Sequence, residues 1–256
     1  MHIIERPGKG PAVVCIHGYC QSSTYWEPTL NRLAERDVHA LAMDLPGFAQ
    51  SAAERGPYDM EALADAVDAL CERRGLGRIV LIGGSMGGVV AEHLVLRHPK
   101  RVSRLLLVAT GAFTADPAGA LARADSIAAG EWNDAAVEPI VKGFFRHPPR
   151  PEEVARYHHI ARSASGQAAV EAARSNATSR TLERLGEIRI PTLIIQGRHD
   201  RARTPEHGAL MCQHIPGARL EVLENSGHTP QLEEPEAFHQ IALPFLHQGS
   251  PDGAPW

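Results

Sequence analysis

Six short apolar runs, at residues 12–17, 38–43, 79–83, 105–108, 192–197 and 219–223, recur along a chain whose intervening segments carry helical periodicity. Runs this short that are apolar on both faces suit strands covered from two sides. Strands of that kind alternating with helices make a mostly parallel sheet with crossover helices packed on it. A further short strand at residues 2–5 fits one edge of the sheet. Helices are predicted at about 25–35, 60–73, 86–98, 206–214 and 235–247. In the second of these Met60, Leu63, Val67 and Leu70 keep one apolar stripe, and Pro235 suits the first turn of the last.

Residues 113–185 break the alternation. They are rich in alanine, arginine and proline and contain no run that reads as a strand, so they are expected to form a helical lid inserted into a core of residues 1–112 and 186–247. Val137, Ile140, Val141 and Phe144 fall at i, i+3, i+4, i+7 spacing, which gives one helix there an apolar face. That face either packs on the sheet or lines a substrate pocket, and one helix can do both. Phe144 or its neighbour Phe145 is then the candidate to reach the reaction centre. The tail, residues 248–256, is expected to be disordered.

Charge and composition exclude several partners. A net charge of −4 with both signs intermixed leaves no basic face to neutralise a phosphate backbone, so nucleic acid is not an expected partner. No window approaches the roughly 18 apolar residues of a membrane span, and residues 1–7 lack the apolar core of a signal peptide, so a cytoplasmic protein is expected. Cys15, Cys20, Cys71 and Cys212 have no C-x-x-C spacing, which suits reduced, mostly buried thiols. The 14 histidines include no H-E-x-x-H, and neither His93/His98 nor His158/His159 places two imidazoles side by side on a helix face. No metal and no cofactor are therefore expected. The expected partner is a small molecule, and no sequence feature bears on oligomeric state.

The run at 79–83 leads straight into Gly84-Ser85-Met86-Gly87-Gly88 and then into a helix. Strand, sharp turn, helix, with G-x-S-x-G spanning the junction as Gly83 to Gly87, is the pattern of a nucleophile elbow. The serine takes a strained backbone conformation that lifts its hydroxyl clear of the sheet, and flanking glycines leave room for the turn. A phosphate-binding loop would need G-x-G-x-x-G or a following Lys-Ser/Thr, and neither is present. A glycine turn serving only close packing is the other reading.

A serine hydroxyl is a weak nucleophile unless an imidazole takes its proton, and that imidazole needs a carboxylate to hold its tautomer. Asp200 stands just beyond the run at 192–197, and His228 just beyond the run at 219–223. Loops at the carboxyl ends of neighbouring parallel strands converge on one edge of the sheet, so Ser85, Asp200 and His228 can meet there. Asp116 is the rival acid, although Pro117 after it also suits a helix cap. Two backbone N–H groups are needed for the oxyanion of the tetrahedral intermediate. Met86 at the head of its helix offers one, and Tyr19 in the loop after the run at 12–17 offers the other.

With these pieces in view the chain resembles the α/β-hydrolase superfamily over nearly all its length. The resemblance rests on Ile16-His17-Gly18-Tyr19, on Asp44-Leu45-Pro46-Gly47-Phe48, on Gly83 to Gly88 and on Pro191 to Gly197 with Asp200. It continues in Gly227-His228, followed by Pro230 and Glu233-Glu234-Pro235. It implies a lid at 113–185 and a sheet of seven strands, because the chain starts where the second of the family's usual eight lies. Ala49 stands where the family's Asp-x-x-Gly-x-Gly-x-Ser pattern has its second glycine. A serine at the elbow is unlike the haloalkane dehalogenases and epoxide hydrolases, which place an aspartate there. The carbon–carbon bond hydrolases of the family typically carry His-Gly-Ser-Gly-Pro-Gly and a tryptophan after the histidine. Here those positions read His17-Gly18-Tyr19-Cys20-Gln21 and Thr229. The chain is more similar to serine esterases and enol-lactonases, which implies cleavage of a small carboxylic ester or lactone through an acyl-enzyme. Carbon–carbon bond hydrolysis and thioester cleavage on the same triad are the alternatives. A non-catalytic receptor on this scaffold would be signalled by a lost triad residue, and none is lost.

Overall fold

The structure, a computed structural model, describes residues 1–130 and 132–247. The expected disordered tail, residues 248–256, lies outside the described residues. The strands are β1 (Ile3–Arg6), β2 (Lys9–Ile16), β3 (Val38–Met43), β4 (Ile79–Gly84), β5 (Val102–Val108), β6 (Thr192–Gly197) and β7 (Arg219–Leu223). They form one sheet in the order β1-β3-β2-β4-β5-β6-β7, with β1 antiparallel to β3 and every other pair parallel. This is the seven-stranded, mostly parallel sheet that the sequence implies.

Because side chains alternate along a strand, the sheet has two apolar faces. Val14, Ile16, Leu81, Leu105 and Leu107 point into one core with α2 (Met60–Arg73), α3 (Met86–Arg97) and α8 (Pro205–His214). Val13, Cys15, Val80, Ile82 and Leu106 point into the other with α1 (Glu27–Ala34) and α10 (Pro235–His247). The stripe of Met60, Leu63, Val67 and Leu70 is buried, and Asp59 caps α2 by accepting the Ala62 N–H at 2.9 Å. Pro235 opens α10, where its missing N–H leaves no hydrogen bond unmade.

Three elements differ from the sequence reading, the first being β2, which starts at Lys9 rather than at residue 12. The strand predicted at 105–108 starts earlier, at Val102. Ser103 and Arg104 conceal it from an apolar count, yet both are buried: Ser103 donates to the Ile79 carbonyl at 2.8 Å and the Arg104 guanidinium lies over the Phe245 ring. The helix predicted at 25–35 is a short 3₁₀ turn, Ser23–Trp26, followed by α1, with Pro28 in the first α-helical turn where its lack of an N–H is tolerated.

Between β5 and β6 lie α4 (Pro117–Ala129), α5 (Asp134–Lys142), α6 (Pro151–Arg162) and α7 (Gly166–Thr178), with no strand among the described residues. Val137, Val141, Phe144, Tyr157 and Ala168 join the core on the α2/α3 side. Polar ties reach the strand-end loops as well: the Tyr19 hydroxyl donates to the Ala169 carbonyl at 2.8 Å and the Ser165 N–H to the Gly47 carbonyl at 2.8 Å. A four-residue helix, α9 (Pro230–Glu233), precedes α10. Among the described residues no helix is long and apolar enough to cross a membrane.

Candidate active site

In an open parallel sheet the crevice forms where the strand order reverses, outside the carboxyl ends of the strands. Here that point is β2, which has β3 on one side and β4 on the other, with Ile16 level with both Met43 and Gly83. The loop after β2 carries Tyr19 and the turn after β4 carries Ser85.

Ser85 has φ 52° and ψ −119°, a conformation that costs a side-chain-bearing residue on the order of 1–3 kcal/mol and persists only where its surroundings enforce it. The enforcing contacts are specific. The Ser85 N–H donates to the Val108 carbonyl at 2.8 Å, and the Ser85 carbonyl accepts from the Thr110 hydroxyl at 2.7 Å and the Gly88 N–H at 2.9 Å. The elbow glycines are needed for space. A Cβ on Gly83 would meet the Gly87 carbonyl oxygen at 2.4 Å, and one on Gly87 would meet the His17 carbonyl oxygen at 2.4 Å. One on Gly18 would come within 3.1 Å of the Ser85 Cβ.

Asp200 and His228 are drawn together by an equally close approach of backbone. Gly197, at the end of β6, lies where a Cβ would be 2.0 Å from the Gly227 carbonyl oxygen. The Ser85 hydroxyl donates to His228 Nε2 at 2.7 Å, and His228 Nδ1 donates to Asp200 Oδ2 at 2.7 Å. A carboxylate can only accept, so the proton of the neutral imidazole sits on Nδ1 and Nε2 is left free to accept from the serine. Asp200 Oδ1 accepts the backbone N–H groups of Ala202 at 2.8 Å and Arg203 at 2.9 Å. Asp116 plays no part in this chain: it caps α4, accepting the Gly119 N–H at 2.9 Å.

The backbone N–H groups of Tyr19 and Met86 make no hydrogen bond with other described residues, and Met86 opens α3, where the helix itself supplies no acceptor. The loop that holds Tyr19 is anchored by His17. Its Nδ1 donates to the Gly18 carbonyl at 2.7 Å and its Nε2 accepts the Leu45 N–H at 2.9 Å. That arrangement needs a neutral ring, and complete burial pushes its pKa down.

A cavity of about 660 Å³ opens at Ser85, lined by Tyr19, His228, Ile140 and Phe144 among others. A second hollow of about 1150 Å³ meets it at Gly143, Arg201, Ala202 and His228, and Phe145 and Val141 line this one. The two phenylalanines therefore face different spaces. Helix α5 both packs and lines: Val137 and Val141 are buried, while Ile140 faces the Ser85 cavity.

Several supporting residues have no signature that a strand-end reading would single out. Gln21 accepts the Gly18 N–H at 2.9 Å, and the buried Thr229 donates to the Phe144 carbonyl at 2.9 Å. Glu233 accepts the N–H groups of Gly227 at 2.9 Å and Thr229 at 3.2 Å, and Glu234 accepts that of Asn225 at 2.8 Å. The Glu-Glu-Pro motif thus clamps the loop that carries His228. Cys15, Cys20 and Cys71 are buried and all four cysteines are free thiols. Among the described residues no group of three or more His, Cys, Asp or Glu side chains is placed to hold a metal ion.

The chain is similar to known proteins over nearly its whole length. The chain is 30% identical over 257 residues to a pimeloyl-[acyl-carrier protein] methyl ester esterase of Neisseria meningitidis, covering 96% of each chain. It is 27% identical over 262 residues to a 2-hydroxy-6-oxo-6-phenylhexa-2,4-dienoate hydrolase of Comamonas testosteroni, covering 95% of this chain and 90% of that one. Among solved structures it superposes on the enol-lactonase of Burkholderia xenovorans LB400 with a TM-score of 0.90 at 25% identity, covering 96% of each chain. The model of the alpha/beta hydrolase family matches residues 13–241, which take in the elbow and both strand-end loops, and the chain belongs to that family.

Proposed function

We propose that this protein is a serine hydrolase that cleaves a small carboxylic ester or lactone through an acyl-enzyme. The reading rests above all on the unbroken hydrogen-bond chain from the Ser85 hydroxyl through His228 to Asp200. Ser85 Oγ attacks the carbonyl carbon as its proton passes to His228 Nε2, and Asp200 stabilises the resulting imidazolium. The oxyanion is held by the N–H groups of Tyr19 and Met86, an arrangement worth about 3–4 kcal/mol per donor. Collapse expels the alcohol, which takes the proton from His228. Water then attacks the acyl-serine by the same route in reverse, releasing the acid and restoring the serine.

Residues 113–185 act as a lid on a core of residues 1–112 and 186–247, excluding water and shaping the pocket through α5 and Phe144, with Phe145 in the adjoining hollow. Thr229 supports ester or lactone cleavage over carbon–carbon cleavage, because a buried donor to the Phe144 carbonyl occupies the position where the carbon–carbon hydrolases carry tryptophan.

The test is a panel of p-nitrophenyl esters, enol and acyl-homoserine lactones, acyl-thioesters and a dienoate carbon–carbon substrate, run with Ser85→Ala beside the wild type. Turnover is expected for esters or lactones and to vanish in the variant, with a fluorophosphonate probe adding its mass to Ser85 alone. A variant that keeps a tenth of the wild-type rate overturns the nucleophile, and turnover confined to the dienoate overturns the substrate class.

A further inference from the structure

Arg203 is 6% exposed, yet it lines the same cavity as Ser85. A buried guanidinium is ordinarily paired with a carboxylate, because an unpaired charge away from water is costly. This one is not so paired: its side-chain partners are the Phe113 carbonyl, the Thr114 hydroxyl at 3.4 Å and the Asn176 side-chain oxygen at 3.5 Å, all neutral. Among the described residues no carboxylate forms an ion pair with it. Asp200 is occupied by His228 and two backbone N–H groups, and Glu92, which attracts Arg203 through space, bonds to Thr181. The two contacts of Arg203 Nη2 lie at the limit of hydrogen bonding and are readily exchanged for a better acceptor. Thr114 and Asn176 also line the cavity, so the guanidinium and its neutral partners form a patch of its wall. The charges around that wall favour an anion: Arg123, Arg201 and Arg203 stand against the single carboxylate of Asp116, which caps α4.

We propose that Arg203, flanked by Thr114 and Asn176, is the anchor of a carboxylate subsite, and that the preferred substrates are esters or lactones carrying a free carboxylate in the part that occupies this cavity. This rests on Ser85 being the nucleophile of an ester hydrolase. The guanidinium then acts on specificity, holding the substrate by its far end while the carbonyl lies at Ser85.

The test compares kcat/KM for monomethyl esters of four- to eight-carbon dicarboxylic acids with that for the matching neutral dimethyl esters. Wild type is expected to prefer the anionic series. Arg203→Gln should lower the anionic-to-neutral ratio at least tenfold, mainly through KM, and Arg203→Lys should restore part of it. Asn176→Asp, which sets a carboxylate beside the guanidinium with little change of shape, should lower the ratio as well and serves if Arg203→Gln does not fold. Binding of glutarate and adipate to Ser85→Ala, followed by calorimetry, should be lost when Arg203→Gln is added. Ratios unchanged in Arg203→Gln and Asn176→Asp, or an equal fall for both ester series, overturn the subsite and leave Arg203 as a tie between Phe113 and the loop after β6. Dicarboxylate binding without turnover of any ester by the wild type would instead overturn the hydrolase reading and leave the subsite standing.

Discussion

Asp200 uses its two oxygens differently, and the difference decides what its replacement does. Oδ1 takes the Ala202 and Arg203 N–H groups, while Oδ2 faces His228. An asparagine can keep the first set through its own oxygen, so the loop should hold its shape, but its NH₂ group then points at His228 Nδ1. The imidazole must accept there, its proton moves to Nε2, and Nε2 no longer takes a proton from Ser85. Asp200→Asn should therefore fold with an unchanged melting temperature and lose about 10⁴ in kcat, against about 10⁶ for Ser85→Ala or His228→Ala. Single-turnover measurements with an activated ester separate these. An Asp200→Asn enzyme within tenfold of the wild type would remove Asp200 from the machinery. The strain at Ala49 is a second residue-scale effect. It stands where the family pattern has glycine and yet keeps φ 45°, so the loop after β3 retains its left-handed turn at a cost of about 1–2 kcal/mol relative to glycine.

At the scale of elements, α5 and the turn that follows it join the Ser85 cavity to the loop that carries His228. Phe144 packs edge-on against the buried Tyr25 with ring centroids 5.9 Å apart, and its carbonyl accepts from Thr229 beside His228. Phe145 instead stacks near Tyr157 at 4.9 Å and faces the second hollow. The two rings should respond unequally to truncation. Phe144→Ala is expected to change the ratio of kcat/KM for long against short esters severalfold and to lower stability by about 3 kcal/mol, the usual loss for a buried aromatic ring. Phe145→Ala should change the ratio less. Phe144 lies past the end of α5 at Lys142, in the turn rather than on the helix that its i+7 spacing predicts. Ester-length profiles and urea unfolding read both effects, and a profile identical to wild type in Phe144→Ala would show that this turn does not shape the pocket. This division between neighbouring residues was not legible in the apolar stripe, since a 3.6-residue period names a buried face but not which of two cavities a side chain meets.

Across the whole molecule, a buried carboxyl joins the sheet core to the segment after β5. Glu92 on α3 is fully buried, accepts from the Thr181 hydroxyl through Oε2 and has no partner for Oε1 among the described residues. Burial pushes its pKa up to about 7 from an ordinary 4.5, against the opposing pull of Thr181 and Arg203. The folded chain then holds this proton more tightly than the unfolded one, so the stabilisation is complete below pH 4.5 and is lost as pH rises to about 7. The swing is on the order of 3 kcal/mol, and Glu92→Gln should flatten that part of the stability profile. Urea midpoints at half-unit steps from pH 5 to 8 test it, and parallel wild-type and variant profiles would rule the device out. The sequence by itself determined the layered architecture, the seven strands and the positions of Ser85, Asp200 and His228 at strand ends. Apolar runs, glycine spacing and strand-end loops are local patterns, and a parallel sheet converts their order into place. Only the tertiary structure decided that Arg104 and Glu92 are buried, that Arg203 faces the Ser85 cavity without a carboxylate partner among the described residues, and that Phe144 and Phe145 part company. Burial, pairing and the direction of a side chain depend on which distant segments pack around it, and no local period encodes that.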